Sequence, residues 1–210
     1  MAGGAGLFLS FEGIDGSGKS TQALLLAEAF QAEGRSVTLT REPGGSPGAE
    51  EIRRLVLEGN PNRWSPETEI LLFTAARRDH MERKIRPALA RGDVVISDRF
   101  ADSTRVYQGM TRKDLSGTVD QLHQMMIGME PDLTILIDID PALGLSRAKT
   151  RAGPEMRFED MGLDLHLKAR AAFLDLAAKN PARFRIIDGQ GDEAEVAARV
   201  RAALSLSRRT

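Results

Sequence analysis

The chain alternates short apolar runs with longer stretches in which apolar and polar residues recur at helical spacing. The short runs are rich in Leu, Ile, Val and Phe, which is typical of strands buried on both faces of a sheet. They predict strands at 7–12, 36–40, 93–97, 133–138 and 184–187. The amphipathic stretches predict helices at 19–33, 49–57, 66–91, 118–129, 163–179 and 193–206.

Strands that alternate with helices predict an α/β fold with a five-stranded parallel sheet, covered by helices on both faces. The sequence contains no internal repeat, no low-complexity tract and no clear linker. A length of 210 residues fits one large domain. We therefore expect a single domain over 1–210.

Composition and charge narrow the possible partners and compartment. The formal net charge of −1 gives no overall attraction to nucleic acid or to a membrane surface, so neither is expected as a partner. The absence of cysteine excludes disulfides and thiolate catalysis and fits a reducing cytoplasm. No apolar run approaches the roughly 18 residues of a membrane span, and the first residues lack the basic flank of a signal peptide.

A glycine-rich segment joins the first predicted strand to the first predicted helix. Residues 13–20 read GIDGSGKS and match G-x-x-x-x-G-K-[ST] in the context that this motif requires. Its glycines let backbone N–H groups point at phosphate oxygens, and the helix N-terminus adds a positive dipole end. Lys19 would reach the β- and γ-phosphates and Ser20 would offer its hydroxyl to Mg²⁺. The segment therefore predicts a P-loop that binds a nucleoside triphosphate through Gly13, Ile14, Asp15, Gly16, Ser17, Gly18, Lys19, Ser20 and Thr21.

Several P-loop classes are disfavoured, because the chain lacks the guanine-reading N-K-x-D motif and the L-S-G-G-Q motif of ABC ATPases. A small phosphotransferase must bind an acceptor, so charged residues at the carboxyl ends of strands become candidates. Asp98 can hold hydrated Mg²⁺, and Arg99 can grip a phosphate through two parallel hydrogen bonds; a surface ion pair is the alternative. Arg41 precedes a Pro-Gly-Gly turn at the same predicted edge, where an ordinary turn is the alternative.

The combination of motifs closely resembles the thymidylate kinase family. The segments FEGIDGSGKSTQ, TREPGG, LLFTAARRDH, DRFADSTRVYQG and MRFED follow the family's order over 8–160, about three quarters of the chain. The P-loop is widely shared, whereas the pair T-R-E-P-G-G and D-R-x(7)-Y-Q-G is much more specific. The resemblance implies transfer of the γ-phosphoryl group of ATP to dTMP, with Mg²⁺, in the supply of dTTP for DNA synthesis.

The resemblance also implies an acceptor pocket. Phe73 would stack on thymine, and Arg77, one helical turn later on the same face, would donate to the thymine O4. Core packing is the alternative for Phe73. The remaining substrate-binding residues would be Arg41 and Arg99 at the dTMP phosphate, Thr104 at the base edge, Tyr107 over the sugar, and Gln108. Val106 replaces an alanine that is common in the family before the tyrosine, for which we expect only a small packing adjustment.

Asp15 resembles the family's acidic residue near the sugar 3′-hydroxyl and the waters of the metal. The P-loop offers no arginine to stabilise the transition state, but the basic segment after 146 resembles the lid of the bacterial enzymes. We expect a mobile lid at about 147–158, in which Arg147 and Arg151 are the leading catalytic candidates and Arg157 the third. A solvated basic helix end is the alternative. Glu159 matches a family acidic position near the metal or the lid.

Three methionines, at 125, 126 and 129, lie on a predicted helix and indicate either core packing or the homodimer interface that the resemblance implies. Arg78 could contact solvent, a salt-bridge partner or a second phosphate. Two other functions remain as rivals: a kinase for another nucleoside or nucleoside monophosphate, and a non-catalytic ATP-binding regulator. The acceptor motifs argue against both. The sequence predicts a cytoplasmic, homodimeric dTMP kinase.

Overall fold

The computed structural model describes residues 6–60, 63–110, 114–149 and 162–207. Five strands form one sheet, and each strand is only five or six residues long, as expected for strands that connect to helices. The strands are β1 (Leu7–Glu12), β2 (Val37–Arg41), β3 (Val94–Asp98), β4 (Leu133–Asp138) and β5 (Phe184–Asp188).

The α-helices are α1 (Lys19–Ala32), α2 (Pro47–Leu57), α3 (Pro66–His80), α4 (Arg86–Ala90), α5 (Ala101–Thr104), α6 (Ser116–Met126), α7 (Pro141–Lys149), α8 (Gly162–Lys179) and α9 (Glu193–Ser207). Two π-helical turns, Met81–Ile85 and Arg105–Met110, continue α3 and α5 respectively. None of the helices in the described ranges is long and apolar enough to cross a membrane.

All strand pairs are parallel, and the strand order is β2-β3-β1-β4-β5. Alternate residues of a strand point to opposite faces, so a doubly covered strand needs apolar residues at nearly every position. In β3, Val94 and Ile96 belong to the core that also contains residues of α1 and α9, while Val95 belongs with Phe8 to the core on the opposite face. The predicted α/β sheet, with helices on both faces, is confirmed.

The long helix predicted at 66–91 proves to be three consecutive helical pieces. Pro87 has no N–H to donate to the carbonyl one turn earlier, and a π-helical turn at Met81–Ile85 precedes it. The helix predicted at 49–57 starts two residues earlier, at Pro47, where proline suits the first turn. The helix predicted at 118–129 ends at Met126, so Met129 lies beyond it.

The strand order places the candidate site. The connection that follows β1 crosses the sheet in one direction, to β2. The connection that follows β3 crosses it in the opposite direction, to β4. Neighbouring strands with oppositely directed connections leave a crevice at their carboxyl ends, which is where ligands bind in open α/β sheets. Residues 13–20 follow β1 and Arg99 follows β3, so both border this crevice.

Candidate active site

The glycine-rich segment forms a loop between β1 and α1. Gly18 has a φ of 92° and no atom within 4 Å of the position that a Cβ would occupy, so the loop is open at the start of α1. Gly16 has a φ of 75°, and a Cβ there would collide with the carbonyl oxygen of Gly144 on α7. Helix α7 therefore packs directly against the loop, a contact that only two glycines permit.

Lys19 is the first residue of α1 and is almost fully buried. Its Nζ donates to the carbonyl oxygen of Ile14 at 2.8 Å, so the ammonium group lies against the loop. Burial, followed by the charge of Arg99, lowers the pKa of Lys19 to about 8, although Asp15 and Asp98 oppose this shift. Burial is the largest cause, so the ammonium group of Lys19 is poorly solvated where it lies against the loop.

Ser20 and Asp98 meet at the carboxyl end of β3. The Ser20 hydroxyl donates to Asp98 Oδ2 at 2.5 Å, and Asp98 Oδ1 is buried without a hydrogen-bond partner in the described part of the chain. An unpaired buried carboxylate oxygen beside a hydroxyl is a hard-oxygen donor set that fits Mg²⁺. The described ranges hold no cluster of three or more His, Cys, Asp or Glu side chains suited to a metal, and Mg²⁺ commonly takes one or two carboxylates plus phosphate oxygens and waters.

Arg99 connects the loop to the segment that follows β3. Its Nη2 donates to Asp15 Oδ1 at 2.5 Å, and its Nη1 donates to the Ser103 hydroxyl at 2.8 Å. Its guanidinium carbon lies 5.3 Å from the centre of the Tyr107 ring. Burial alone would raise the pKa of Asp15, but Arg99 and Lys19 outweigh burial and hold it below its ordinary value. Both predicted residues, Asp15 and Arg99, are therefore brought together as an ion pair.

Phe73 and Arg77 lie on α3 with both side chains buried. Arg77 Nε donates to Glu42 at 2.7 Å, and its Nη2 donates to the Thr104 hydroxyl at 2.9 Å. The guanidinium also lies over the Phe100 ring, 5.2 Å from its centre. The structure thus brings Arg77 and Thr104 into contact, and Phe73 lies one helical turn before Arg77 on α3; their roles toward a substrate stay predictions.

Glu42 and His80 are site residues that the sequence analysis missed. The carboxylate of Glu42 lies 2.7 Å from Arg77 Nε and 3.0 Å from His80 Nδ1, while His80 Nε2 lies 2.7 Å from the Thr40 hydroxyl. Burial raises the pKa of Glu42, but Arg77 and the His80 contact outweigh it, and the net pKa is lowered. The only available signal was the glutamate inside TREPGG. This buried network fixes the position of the Arg77 guanidinium.

Tyr107 and Gln108 lie on the π-helical turn after α5. Tyr107 packs edge-on against Phe173, with ring centres 6.1 Å apart. Burial and the charge of Asp15 raise the pKa of the Tyr107 hydroxyl against the opposing effect of Arg99, so it stays protonated. Gln108 is buried and its Nε2 donates to Glu69 at 3.3 Å. Both residues therefore lie in the helical segment that begins with α5 and contains Thr104.

Arg41 ends β2 and pairs in register with Asp98, so it reaches the same sheet edge. Its side chain is 56% exposed and contacts the Glu50 carboxylate at 3.3 Å. Arg78 donates to Glu82 and to the carbonyl of Met126, both at 2.6 Å, so salt bridging, one of its three predicted roles, is observed.

Arg147 lies on α7, which packs against the loop through Gly144. The other lid candidates, Arg151 and Arg157, and the predicted metal residue Glu159 lie outside the described residues. Arg147 is thus the predicted lid residue that the structure connects to the phosphate loop.

A five-stranded parallel sheet, a G-x-x-x-x-G-K-S loop between β1 and α1, and charged side chains at the carboxyl ends of the strands together define a P-loop phosphotransferase. The thymidylate kinase family model matches residues 11–200. The chain is 71% identical to the thymidylate kinase of Ruegeria pomeroyi, covering 94% of this chain and 93% of the relative, and 50% identical to that of Caulobacter vibrioides, covering 89% and 90%. A crystal structure of thymidylate kinase from Ehrlichia chaffeensis superposes with a TM-score of 0.77 at 36% identity, covering 96% of this chain and 99% of that one.

The chain belongs to the thymidylate kinase family. It is an enzyme that phosphorylates dTMP to dTDP in the synthesis of dTTP. The resemblance stated from the sequence motifs is therefore confirmed.

Proposed function

We propose that ATP is the phosphoryl donor, that Mg²⁺ assists, and that the transfer occurs in the crevice between the loop after β1 and the segment after β3. Loop N–H groups and Lys19 would bind the β- and γ-phosphates. Ser20 and Asp98 would hold Mg²⁺, which when bound neutralises charge on the phosphates. The unpaired Asp98 oxygen supports this assignment.

On the acceptor side, Phe73 stacks on thymine and Arg77 donates to the thymine O4, with Thr104, Tyr107 and Gln108 around the base and sugar. Arg99 binds the dTMP phosphate and Arg41 assists by leaving Glu50. The acceptor oxygen is already anionic, so positioning and charge stabilisation suffice without a general base. Arg147 and Arg151 supply positive charge to the moving phosphoryl group, with Glu159 near the metal or the lid.

One observation carries this proposal: Arg99 contacts the donor loop at Asp15 and the acceptor helix at Ser103 at the same time. A guanidinium has five donors in a rigid fork and suits the dTMP phosphate, which must lie next to the γ-phosphate of ATP. A non-catalytic nucleotide switch needs no such bridge. Donor and acceptor phosphates would meet within reach of this one side chain.

The test is a coupled ADP-release assay that offers dTMP, dUMP, dCMP, dGMP, UMP and thymidine in parallel, each with ATP and with and without Mg²⁺. We expect strong preference for dTMP and a steep loss of turnover when EDTA removes the metal. Preference for another acceptor would overturn the thymine-pocket assignment. Undiminished turnover in EDTA would overturn the Ser20–Asp98 assignment.

We also propose that the chain forms one domain and acts as a homodimer. Leu71 on α3 and Met125 and Met126 on α6 are 58%, 72% and 42% exposed, on two helices that contact each other. Core packing does not account for these two methionines, although Met129 packs partly into the core. Sedimentation should give twice the 22.9 kDa chain mass, and a monomer at micromolar concentration would contradict the proposal. The cytoplasmic location stays a prediction.

A further inference from the structure

Glu12 is a buried carboxylate at the end of β1, immediately before the phosphate loop, to which the proposed function gives no role. Its side chain has no exposed surface. Oε1 accepts from the Phe100 backbone N–H at 2.8 Å and from the Ser103 N–H at 3.2 Å, and Oε2 accepts from the Ser103 hydroxyl at 2.6 Å. All three donors belong to the segment that follows β3.

Ser103 passes this interaction on to Arg99. The Ser103 oxygen accepts from Arg99 Nη1 at 2.8 Å. A guanidinium can only donate, so the Ser103 hydroxyl must use its oxygen for Arg99 and its hydrogen for Glu12. When Glu12 is ionised, the chain of hydrogen bonds therefore runs in one direction, from Arg99 through Ser103 to a Glu12 oxygen that carries no proton.

The backbone at Arg99 needs the same support. Arg99 has a φ of 70° and is the one non-glycine residue in the described ranges with a positive φ. Such a conformation is unfavourable for a side chain with a Cβ and persists where surrounding contacts hold it. Here the next N–H, that of Phe100, bonds to Glu12. Glu12 thus holds the turn that aims Arg99 into the crevice.

The same bonds hold the first turn of the helical segment Ala101–Met110. Its first N–H groups lack intrahelical partners, and a carboxylate at that end also complements the helix dipole. Thr104 and Tyr107 lie within the next two turns of this segment, and both line the acceptor side of the crevice. Glu12 is therefore connected to Arg99 and to the acceptor-binding helix, while the residue after it begins the donor loop.

Energetics argue against a purely structural role. Burial, followed by the charge of Asp102, raises the pKa of Glu12 to about 7, against the opposing effects of Arg99, Ser103 and the Phe100 N–H. Burying an ionised carboxylate is costly, and an apolar side chain would fill a strand end at lower cost. The Glu12 carboxylate at the end of β1 therefore serves through the hydrogen bonds that it accepts rather than by filling space.

We propose that Glu12 is a positioning residue that holds Arg99 and the start of the Ala101–Met110 segment in register with the phosphate loop, so that the two reacting phosphates meet. The inference rests on the proposed function, which gives Arg99 the dTMP phosphate. Glu12 itself contacts neither phosphate. It acts through Ser103 and through the backbone of Phe100.

The test compares Glu12→Gln with Ser103→Ala, and uses Ser10→Ala as the matched control. Ser10 lies two residues earlier on β1 and is also buried, but its hydroxyl bonds to Thr134, outside the segment after β3. Kinetic constants are measured with dTMP varied at saturating ATP and with ATP varied at saturating dTMP. Calorimetry measures dTMP affinity, and thermal unfolding shows that each variant is folded.

For Glu12→Gln we expect kcat/KM for dTMP to fall by about 10- to 100-fold, as for loss of a hydrogen bond to a charged group, while KM for ATP is unchanged. In Ser103→Ala, kcat/KM for dTMP should also decrease. In the double variant, kcat/KM for dTMP should be no lower than in Glu12→Gln alone. Ser103→Ala keeps every backbone bond to Glu12, so it decides the matter if Glu12→Gln does not fold.

Three results would overturn the positioning role. The first is wild-type kinetic constants in Glu12→Gln, and the second is an equal rise of KM for ATP and for dTMP in that variant. The third is a decrease of kcat/KM for dTMP in Ser10→Ala as large as that in Glu12→Gln. Failure of the proposed function is a separate result, namely a wild-type protein that does not phosphorylate dTMP with ATP and Mg²⁺. In that case the calorimetric dTMP affinities of wild type and Glu12→Gln still test Glu12, since weaker binding supports its role and equal binding contradicts it.

Discussion

The two sides of the crevice are built in different ways. The phosphate loop on the proposed donor side is eight consecutive residues, and its lysine bonds to a carbonyl five positions away. The acceptor side is assembled from separate segments, since Arg77 bonds to Glu42 and Thr104 across 35 and 27 positions, and His80 contacts Glu42 across 38. A local motif sets the phosphate loop, whereas the acceptor wall exists only when the fold brings buried charges together.

The largest decrease in turnover is expected for a change in the phosphate loop, at Lys19. Lys19→Ala removes the positive charge that the donor loop offers to the phosphates. Turnover should fall by about 10²- to 10³-fold, as for loss of one preorganised electrostatic contact to the transition state. Steady-state turnover at saturating dTMP checks this. A decrease of less than about ten-fold, which is about 1.4 kcal/mol of barrier, would contradict the donor assignment.

On the acceptor side, Arg77→Met leaves the Glu42 carboxylate buried without its guanidinium. Both side chains are only 4% exposed, so the free energy of unfolding should decrease by about 3–5 kcal/mol. The double variant Arg77→Met with Glu42→Gln should recover most of that loss, because no unpaired charge remains. Urea unfolding measures both.

The same two variants separate stability from recognition. If Arg77 reads the thymine O4, the preference for dTMP over dCMP should be lost in the single and the double variant alike. A double variant that recovers the dTMP preference together with its stability would show that Arg77 is only a structural partner of Glu42.

Phe73→Leu sharpens the comparison further. The shorter side chain keeps apolar volume in α3 but removes the ring. We expect KM for dTMP to rise by about ten-fold and KM for ATP to stay the same, since base–aromatic stacking contributes about 1–3 kcal/mol. Phe30→Leu on α1 is the control, because Phe30 is equally buried in the core on the other face of the sheet. Equal kinetic effects of the two variants would argue that Phe73 is merely a core residue.

The smallest effect concerns pH and Glu12. The folded protein raises the pKa of Glu12 from 4.5 to about 7, so between these values it binds more protons than the unfolded chain. The contribution of this group to stability is therefore complete below about pH 4.5 and is lost as pH rises through about 7. The groups that face it, Asp102, Arg99 and Ser103, are unchanged in Glu12→Gln.

Chemical unfolding of wild type and Glu12→Gln at several pH values between 4.5 and 8 checks this prediction. The difference in unfolding free energy between the two proteins should change across the window in favour of the glutamine variant as pH rises. A difference that does not depend on pH would show that Glu12 titrates near its ordinary value.

Much of the fold could be predicted from sequence, because strands buried on both faces have continuous apolar runs and helices have their own period. The phosphate loop could also be predicted, since its residues are consecutive and form a motif that can be recognised without knowing the rest of the fold. Helix boundaries were less accurate, since the helix predicted at 49–57 begins at Pro47 and the helix predicted at 118–129 ends at Met126.

The acceptor wall could be predicted only in part. Family resemblance indicated Phe73, Arg77 and Tyr107, but not the partners that hold Arg77 in place. The pairing of Glu42 with Arg77 and His80 depends on how the chain folds over 35 or more positions. Glu12 did carry a signal, since a carboxylate within a strand predicted to be buried on both faces needs a specific partner.

The most direct test of the account is equilibrium binding of both ligands to one variant from each side. Calorimetry would measure dTMP and a non-hydrolysable ATP analogue, with Mg²⁺, against Lys19→Ala and Phe73→Leu. We predict that Lys19→Ala loses affinity for the ATP analogue and keeps that for dTMP, while Phe73→Leu does the reverse. Loss of both affinities in either variant would contradict the division into a locally built donor side and a separately assembled acceptor side.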